Sequence, residues 1–270
     1  MYPILFEVFG RPIATYGTFM IIAAFAAWLL VRFLGGNKDR HIPMSFLMCI
    51  CGGLVGLVML RPITRIPEII INWDSFKQIP FEMMISFLFG EMVFYGGLIG
   101  GVIALLIYCR GYKVPVLPMA DLFAPGMALA HGFGRVGCFF AGCCYGVHTD
   151  ASHPFAVVFP ETGLGIVPHG EPLLAVQLIE AACLFVLAAV LSIVYKKTGG
   201  KGFTICLYGI IYSILRFILE FFRGDPIRGI YGPFSTSQYI SIAIFITCTI
   251  LMYLAIQRAG DKENLNKIKD

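Results

Sequence analysis

Charge is what this sequence has least of. Only 13% of its 270 residues are Asp, Glu, Lys or Arg, where a soluble domain carries about 25%. Hydrophobic residues make up 58%, and the mean hydropathy is +0.82. A water-soluble chain of this length would have to hide more apolar surface than its volume allows. The scarcity of charge therefore excludes a soluble globular protein, a disordered chain and a nucleic-acid binder, and a polytopic membrane protein remains. The formal charge of +4 needs no acidic partner, because basic residues on cytoplasmic loops account for it. Other absences narrow the reading. Met1–Gly10 has neither a basic start nor a small-residue cleavage site, so no secretory signal peptide is expected. No internal repeat, low-complexity tract or linker is visible. One membrane domain over 1–257 and a short polar cytoplasmic tail over 258–270 are predicted. The nine cysteines do not make a secreted disulfide framework, which belongs to short polar chains. Several lie inside apolar runs, where Cys behaves as a small hydrophobe.

Long apolar runs take the place of charge. A membrane-crossing helix needs about 20 mostly apolar residues. Seven segments qualify: 13–34, 43–60, 84–109, 117–140, 173–195, 203–222 and 236–257. The fold class expected is an all-α integral membrane protein with about seven transmembrane helices. The fourth segment contains Asp121, Pro125, His131 and Arg135 and is the one open to a break. A short interfacial piece around Pro80–Ser86 is expected before the third. Seven spans put the termini on opposite faces. Twelve of the twenty basic residues follow the odd-numbered spans, seven lie on the other side, and Arg216 is inside the sixth. The richer side faces the cytoplasm, which places the N-terminus outside and the C-terminus inside. Segment 141–171 has no Lys or Arg, as suits an exterior loop.

Ionisable groups at membrane depth are costly and face a cavity or a partner. Tyr212, Arg216, Glu220 and Arg223 recur at spacings of four, four and three, which predicts one helix face. Two readings fit. The cluster neutralises itself and locks helices together, or it binds an anion. Two arginines against one carboxylate leave net positive charge, and a guanidinium holds phosphate oxygens in a fork. A phospholipid headgroup is the most available anion at that depth.

The run His131–Gly146 carries five glycines (132, 134, 137, 142 and 146) and Arg135. Glycines there let backbones or a ligand approach closely. The run has no Walker pattern and no strand–turn–helix context, so it is not a nucleotide loop. A Gly-rich packing helix with a snorkelling Arg also fits. Cys138, Cys143 and Cys144 lie in the same run, with His131, His148 and His153 nearby. Zinc sites usually show two well-spaced ligand pairs, and here one spacing of five is followed by an adjacent pair. A disulfide on an oxidising exterior, a thiol activated by Arg135, and plain apolar packing fit as well. Tyr95-Gly-Gly-Leu-Ile-Gly-Gly101 reads alone as a helix-packing face. Tyr16 reads as an interfacial tyrosine.

Taken in order, these segments resemble the prolipoprotein diacylglyceryl transferase family over nearly the whole chain. Tyr16-Gly17 is similar to its first-span Tyr-Gly, and Gly96–Gly101 to its His-Gly-Gly-Leu-Ile-Gly. Asp121-Leu-Phe-Ala-Pro125 resembles Asp-x-x-Ala-Pro. Gly134-Arg-Val-Gly137 and Gly142 through Gly146 frame its signature Gly-Arg-x-Gly-Asn-Phe-x-Asn-Gly-Glu-x-x-Gly. Gln177-Leu-Ile-Glu180 resembles Gln-Leu-Tyr-Glu, Arg216–Arg223 resembles Arg-Phe-x-x-Glu-Phe-Phe-Arg, and Ser235–Ser241 resembles Ser-Met-Gly-Gln-x-x-Ser. Each segment is weakly specific; their order and spacing are strongly so.

The resemblance implies a multi-pass enzyme of the bacterial plasma (inner) membrane, seven spans, N-terminus out. Such enzymes move the diacylglyceryl group of phosphatidylglycerol to the lipobox cysteine of a preprolipoprotein and release glycerol phosphate. The partners implied are phosphatidylglycerol, membrane lipid and the preprolipoprotein signal peptide. By carry-over, Arg135 and Arg216 hold and polarise the phosphate, and Glu220 and Arg223 complete the network. Tyr16 and Tyr212 line the cavity. Gly134 belongs to the same signature, and Gly137 and Gly146 keep the cavity open. The leaving group gains charge as its C–O bond breaks, and fixed guanidinium groups at low dielectric stabilise that charge. The resemblance implies no metal or organic cofactor. Departures concentrate in the polar half. The family's His before Gly-Gly is Tyr95, its signature Asn residues are Cys138 and Ala141, its Glu is Cys143, and its His-Pro is Leu174-Ala175. With an unperturbed pKa near 10, Tyr95 is a poor base at neutral pH. A divergent paralogue with another acceptor or its own Cys138 or Cys143 thiol, and a non-enzymatic lipid-binding or transport protein, are the alternatives.

Overall fold

The computed structural model describes residues 4–8, 11–36, 39–71, 73, 79–80, 83–84, 94–160, 167–225 and 230–267. Among them are seven α-helices, one on each predicted segment: α1 (Thr15–Gly35), α2 (His41–Ile71), α3 (Phe94–Gly111), α4 (Val116–Ala141), α5 (Val176–Thr198), α6 (Phe203–Leu219) and α7 (Thr236–Lys267). Five helical stretches are long and apolar enough to cross a membrane: Thr15–Gly35, His41–Met59, Val176–Thr198, Phe203–Phe222 and Thr236–Gln257. Gly96–Gly111 is a shorter apolar helix. Three antiparallel two-stranded hairpins pair β1 (Ile4–Val8) with β2 (Arg11–Ala14), β3 (Ala156–Val158) with β4 (Pro172–Leu174), and β5 (Ile230–Tyr231) with β6 (Phe234–Ser235). The rest of the architecture is helical, as expected of an integral membrane protein. Of the piece over 80–86, only Pro80, Met83 and Met84 lie among the described residues. There the Met84 N–H donates to the Pro80 carbonyl at 3.0 Å.

The chain forms two compact units, residues 35–119 and residues 1–34 with 120–270. In the first, α2 and α3 meet backbone to backbone. A Cβ built on Gly56 would collide with the Gly96 carbonyl, and one on Gly100 with the Gly52 carbonyl. Lipid provides no hydrophobic drive between helices, so this close approach, with its dispersion contacts, holds them together.

In the second unit, α1 buries Ala23, Ala27 and Val31 at four-residue steps while Ile21, Phe25 and Phe33 stand exposed. Small residues inside and large apolar ones outside are the pattern of a helix whose solvent is lipid. Leu184, Leu187, Ala188 and Leu191 of α5 form the core with Ala128 of α4, and Leu207, Tyr208, Ile211 and Tyr212 of α6 pack against it. Helix α4 runs unbroken through Pro125, against the expected weak point. Proline forfeits one intrahelical hydrogen bond, but Ala124 and Ala128 on either side are fully buried and the packing holds the helix straight through.

Asp121 explains itself here as a cap. Helix α6 begins after Gly202 without a side-chain cap of its own. The Asp121 carboxylate, reaching over from α4, accepts the Gly202 N–H at 2.7 Å and the Ile205 N–H at 2.9 Å. These are orphan donors that lipid could not satisfy. Asp121→Ala is expected to cost about 1–2 kcal/mol and Asp121→Asn less, read as thermal unfolding in detergent.

Candidate active site

Helix periodicity delivers the first part of the site. His131 and Arg135 stand one turn apart on α4, and Tyr212 and Arg216 one turn apart on α6. Between them α5 presents Glu180, whose side chain is 2% exposed. Arg135 Nε lies 3.1 Å from Glu180 Oε2. The Tyr212 hydroxyl donates to Glu180 Oε1 at 3.3 Å, and His131 Nε2 is 3.9 Å from the same oxygen. The Tyr212 hydroxyl is also 3.5 Å from His131 Nε2, with the two rings edge to face. One carboxylate thus gathers three side chains from two other helices.

The second part lies where α6 ends. The chain leaves the helix at Leu219 and makes a 3-10 turn over Glu220–Phe222, after which Arg223 is extended. Arg216 Nη2 reaches Glu220 Oε2 at 2.6 Å and donates to Ser237 Oγ of α7 at 3.1 Å. Arg223 forks onto Asp225, Nε to Oδ1 at 2.8 Å and Nη2 to Oδ2 at 2.7 Å, with Nη1 3.8 Å from Glu220 Oε2. The four residues predicted on one helix face therefore split. Tyr212 and Arg216 share α6, whereas Arg223 is held beyond it by the 142–147 loop. The Val147 N–H donates to the Phe222 carbonyl at 2.9 Å, and the Gly224 N–H to the Tyr145 carbonyl at 3.0 Å.

The charge count changes too. Arg135, Arg216 and Arg223 face Glu180, Glu220 and Asp225, three against three, so the group carries no surplus positive charge. Capacity for an anion comes instead from unused donors. Arg216 Nη1 is buried and makes no hydrogen bond. A buried donor on a charged group left in that state is costly, and a phosphate oxygen would satisfy it.

The glycines of the run act differently from expectation. Gly134 is the least crowded of them, with Met20 Sδ 3.9 Å from a built Cβ, an ordinary van der Waals contact. A Cβ on Gly137 would lie 3.0 Å from Phe19 Cβ and 3.3 Å from Tyr16 Cδ2, so this glycine seats Tyr16 against α4. One on Gly146 would strike the Leu174 carbonyl. Gly137 and Gly146 let backbones close up and do not hold a cavity open.

Helix α4 ends in a Schellman motif. The Gly142 N–H donates to the Phe139 carbonyl at 3.3 Å and the Cys143 N–H to the Cys138 carbonyl at 3.1 Å, with Gly142 left-handed at φ +67°. This wrap brings Cys143 back onto Cys138, and Cys144, itself at φ +58°, joins them. The three Sγ atoms lie within 4.8 Å of one another. Hydrogen bonds from Cys138 and Cys143, together with Arg135 and Arg223, lower the pKa of the Cys144 thiol, while hydrogen bonds from Cys138 and Cys144 raise that of Cys143. Gln177 Nε2 donates to the Cys143 carbonyl at 2.8 Å. All nine cysteines are free thiols. Tyr95 stands in the first turn of α3, in the other unit, and its side chain lies outside the described residues.

Glu180 and Asp225 are the site residues that sequence reasoning passed over. Glu180 carried the right signal, an acid inside an apolar run. Glu180→Ala, which strands Arg135 without its counter-charge, is expected to cost about 3–5 kcal/mol. The Arg135→Ala/Glu180→Ala double variant should lose less than the two single losses added, measured by thermal unfolding in detergent.

Known proteins resemble this chain over nearly its whole length. The family model described as prolipoprotein diacylglyceryl transferase matches residues 3–254. The chain is 39% identical over 270 residues to the phosphatidylglycerol--prolipoprotein diacylglyceryl transferase 2 of Clostridium perfringens, covering 98% of this chain and 99% of that one. It is 39% identical over 250 residues to the phosphatidylglycerol--prolipoprotein diacylglyceryl transferase of Clostridium tetani, covering 91% and 94%. With the protein of the same name from Chlorobaculum tepidum it shares 33% over 281 residues, covering 97% and 93%. The chain belongs to the prolipoprotein diacylglyceryl transferase family.

Proposed function

We propose that this protein transfers the diacylglyceryl group of phosphatidylglycerol to the lipobox cysteine of a preprolipoprotein, with Arg135, Arg216, Glu220 and Arg223 as its catalytic group. The observation that carries this reading is the buried, unpartnered Nη1 of Arg216 beside the Glu220 and Arg223 charges. A phosphodiester oxygen is an acceptor of the right charge for it, and Arg135 supplies a second guanidinium, 13% exposed. In the reaction the acceptor sulfur attacks the glyceryl carbon next to the phosphate. The C–S bond forms and the C–O bond breaks. The electron pair stays on the phosphate oxygen, the thiol proton passes to solvent, and glycerol phosphate leaves. The guanidinium groups stabilise the charge that grows on that oxygen, most effectively because the site is largely dry.

The carboxylates set geometry in this scheme. Glu220 and Asp225 hold Arg216 and Arg223 in place through their ion pairs. Glu180 does the same for Arg135 and also anchors Tyr212. Tyr16, Tyr212, Gly134, Cys138 and Cys143 border the headgroup, and Gly137 and Gly146 fix the backbones that carry them. In this reading the chain is one membrane domain of seven spans in the bacterial plasma (inner) membrane, N-terminus outside, with 258–270 in the cytoplasm.

Purified protein with labelled phosphatidylglycerol and a lipobox peptide should yield labelled thioether product. Arg135→Ala and Arg216→Ala should each lower turnover by about 10²–10³-fold, the usual loss on removing one charge-stabilising donor. Near-normal turnover in either would remove the phosphate clamp from the scheme.

A further inference from the structure

We propose that Cys138, Cys143 and Cys144 form a three-thiolate site for a soft divalent metal, zinc by chemical class, with a fourth position open to an incoming sulfur. Among the described residues they are the one group of three or more His, Cys, Asp or Glu side chains close enough to share an ion. Their Sγ atoms lie within 4.8 Å of one another. Around tetrahedral zinc, with Zn–S bonds of about 2.3 Å, neighbouring sulfurs sit about 3.8 Å apart.

The backbone is already committed to the arrangement. The Schellman wrap places Cys143 over Cys138 through the 3.1 Å bond between them, and Gln177 secures the Cys143 carbonyl at 2.8 Å. Cys144 holds φ +58°, a region L side chains rarely adopt. None of the three is tied up in a disulfide. All three are half-buried, which shields the site yet leaves it reachable. Three thiolates around a divalent ion carry one net negative charge. Arg135 and Arg223, each already paired with a carboxylate, lie within electrostatic reach of Cys144 and lower the cost of that charge without cancelling it.

Among the described residues the group offers three protein ligands, which marks the type of site. Structural zinc is closed by four protein ligands, while reactive zinc keeps three and an open position. Arg135 interacts electrostatically with Cys138 and Cys144, and Arg223 with Cys144, so a metal held there would stand close to the arginine group. This part rests on the transferase reading above. The acceptor cysteine binds as fourth ligand and its proton passes to solvent. Its sulfur forms the new C–S bond as the C–O bond breaks, and the neutral thioether, a weaker ligand, departs. No oxidant or reductant enters. A metal-bound thiolate would supply the nucleophile without the base that Tyr95 is ill suited to be.

The test is made on full-length protein purified in detergent under reducing conditions. Elemental analysis should find close to one zinc per chain. Cobalt exchange should give thiolate-to-cobalt charge-transfer absorption and tetrahedral visible bands. Cys138→Ser/Cys143→Ser should lose both zinc and absorption. So should Cys138→Asn/Cys143→Glu, which restores the family's usual residues and guards against a folding artefact; thermal unfolding reports that each variant is folded. A lipobox peptide should shift the visible bands, and the same peptide with Ser for Cys should not. Metal-free wild type with no cobalt absorption, a Cys138–Cys143 or Cys143–Cys144 disulfide by mass spectrometry, or equal zinc in the folded variants would overturn the site. An unshifted cobalt spectrum with peptide, or full transfer by metal-stripped enzyme, would overturn the open fourth position while leaving the transferase reading intact. Intact cobalt spectra without any lipid transfer would instead sink the transferase reading and leave the metal site standing.

Discussion

A guanidinium does not stay buried without a counter-charge, and the interior of the larger unit is arranged around that constraint. Arg135, Arg216 and Arg223 are between 8% and 13% exposed at their side chains, and each has a carboxylate against it. The carboxylates come from three places: the N-terminal part of α5, the turn after α6, and the segment just past that turn. Meeting the charges therefore dictates which helices touch, where α6 stops, and how the 142–147 loop docks. Breaking one pair leaves an uncompensated charge at low dielectric, so the network stands or falls largely as a unit.

Electroneutrality also bears on how the proposed site would bind an anion. A surplus of positive charge would attract any anion from a distance. A balanced group with a few unused N–H donors instead selects by shape and donor placement, at short range. That suits a ligand already delivered by the surrounding bilayer, for which long-range steering would add little. The glycines contribute to the same end. Gly137 and Gly146 bring backbones close enough that Tyr16, the Schellman turn and Arg223 are all held in one place.

The helices were legible because each falls on a long, mostly apolar run, five of them long and apolar enough to cross a bilayer, and length is a one-dimensional property. The hairpins were not, since strands of two to five residues carry no period. In the site, Tyr212 with Arg216 and His131 with Arg135 were legible as i,i+4 pairs. Arg223 was misplaced because the same spacing was carried past the point where the helix ends. Glu180 was passed over as a partner because its pairing spans two helices. The cysteines looked unlike a metal pattern by spacing alone. The left-handed Gly142 turns that spacing into proximity, folding positions five apart onto each other.

By itself, then, the sequence determined the solvent, the segments that the described helices occupy and the inventory of buried charges, because hydropathy and residue type act locally. Only the tertiary structure decided which carboxylate answers which guanidinium, that the charges balance, that Asp121 caps a neighbouring helix, and that three thiols share one small volume. Those outcomes depend on distances between elements far apart in the chain, and burial makes each of them compulsory once the helices pack.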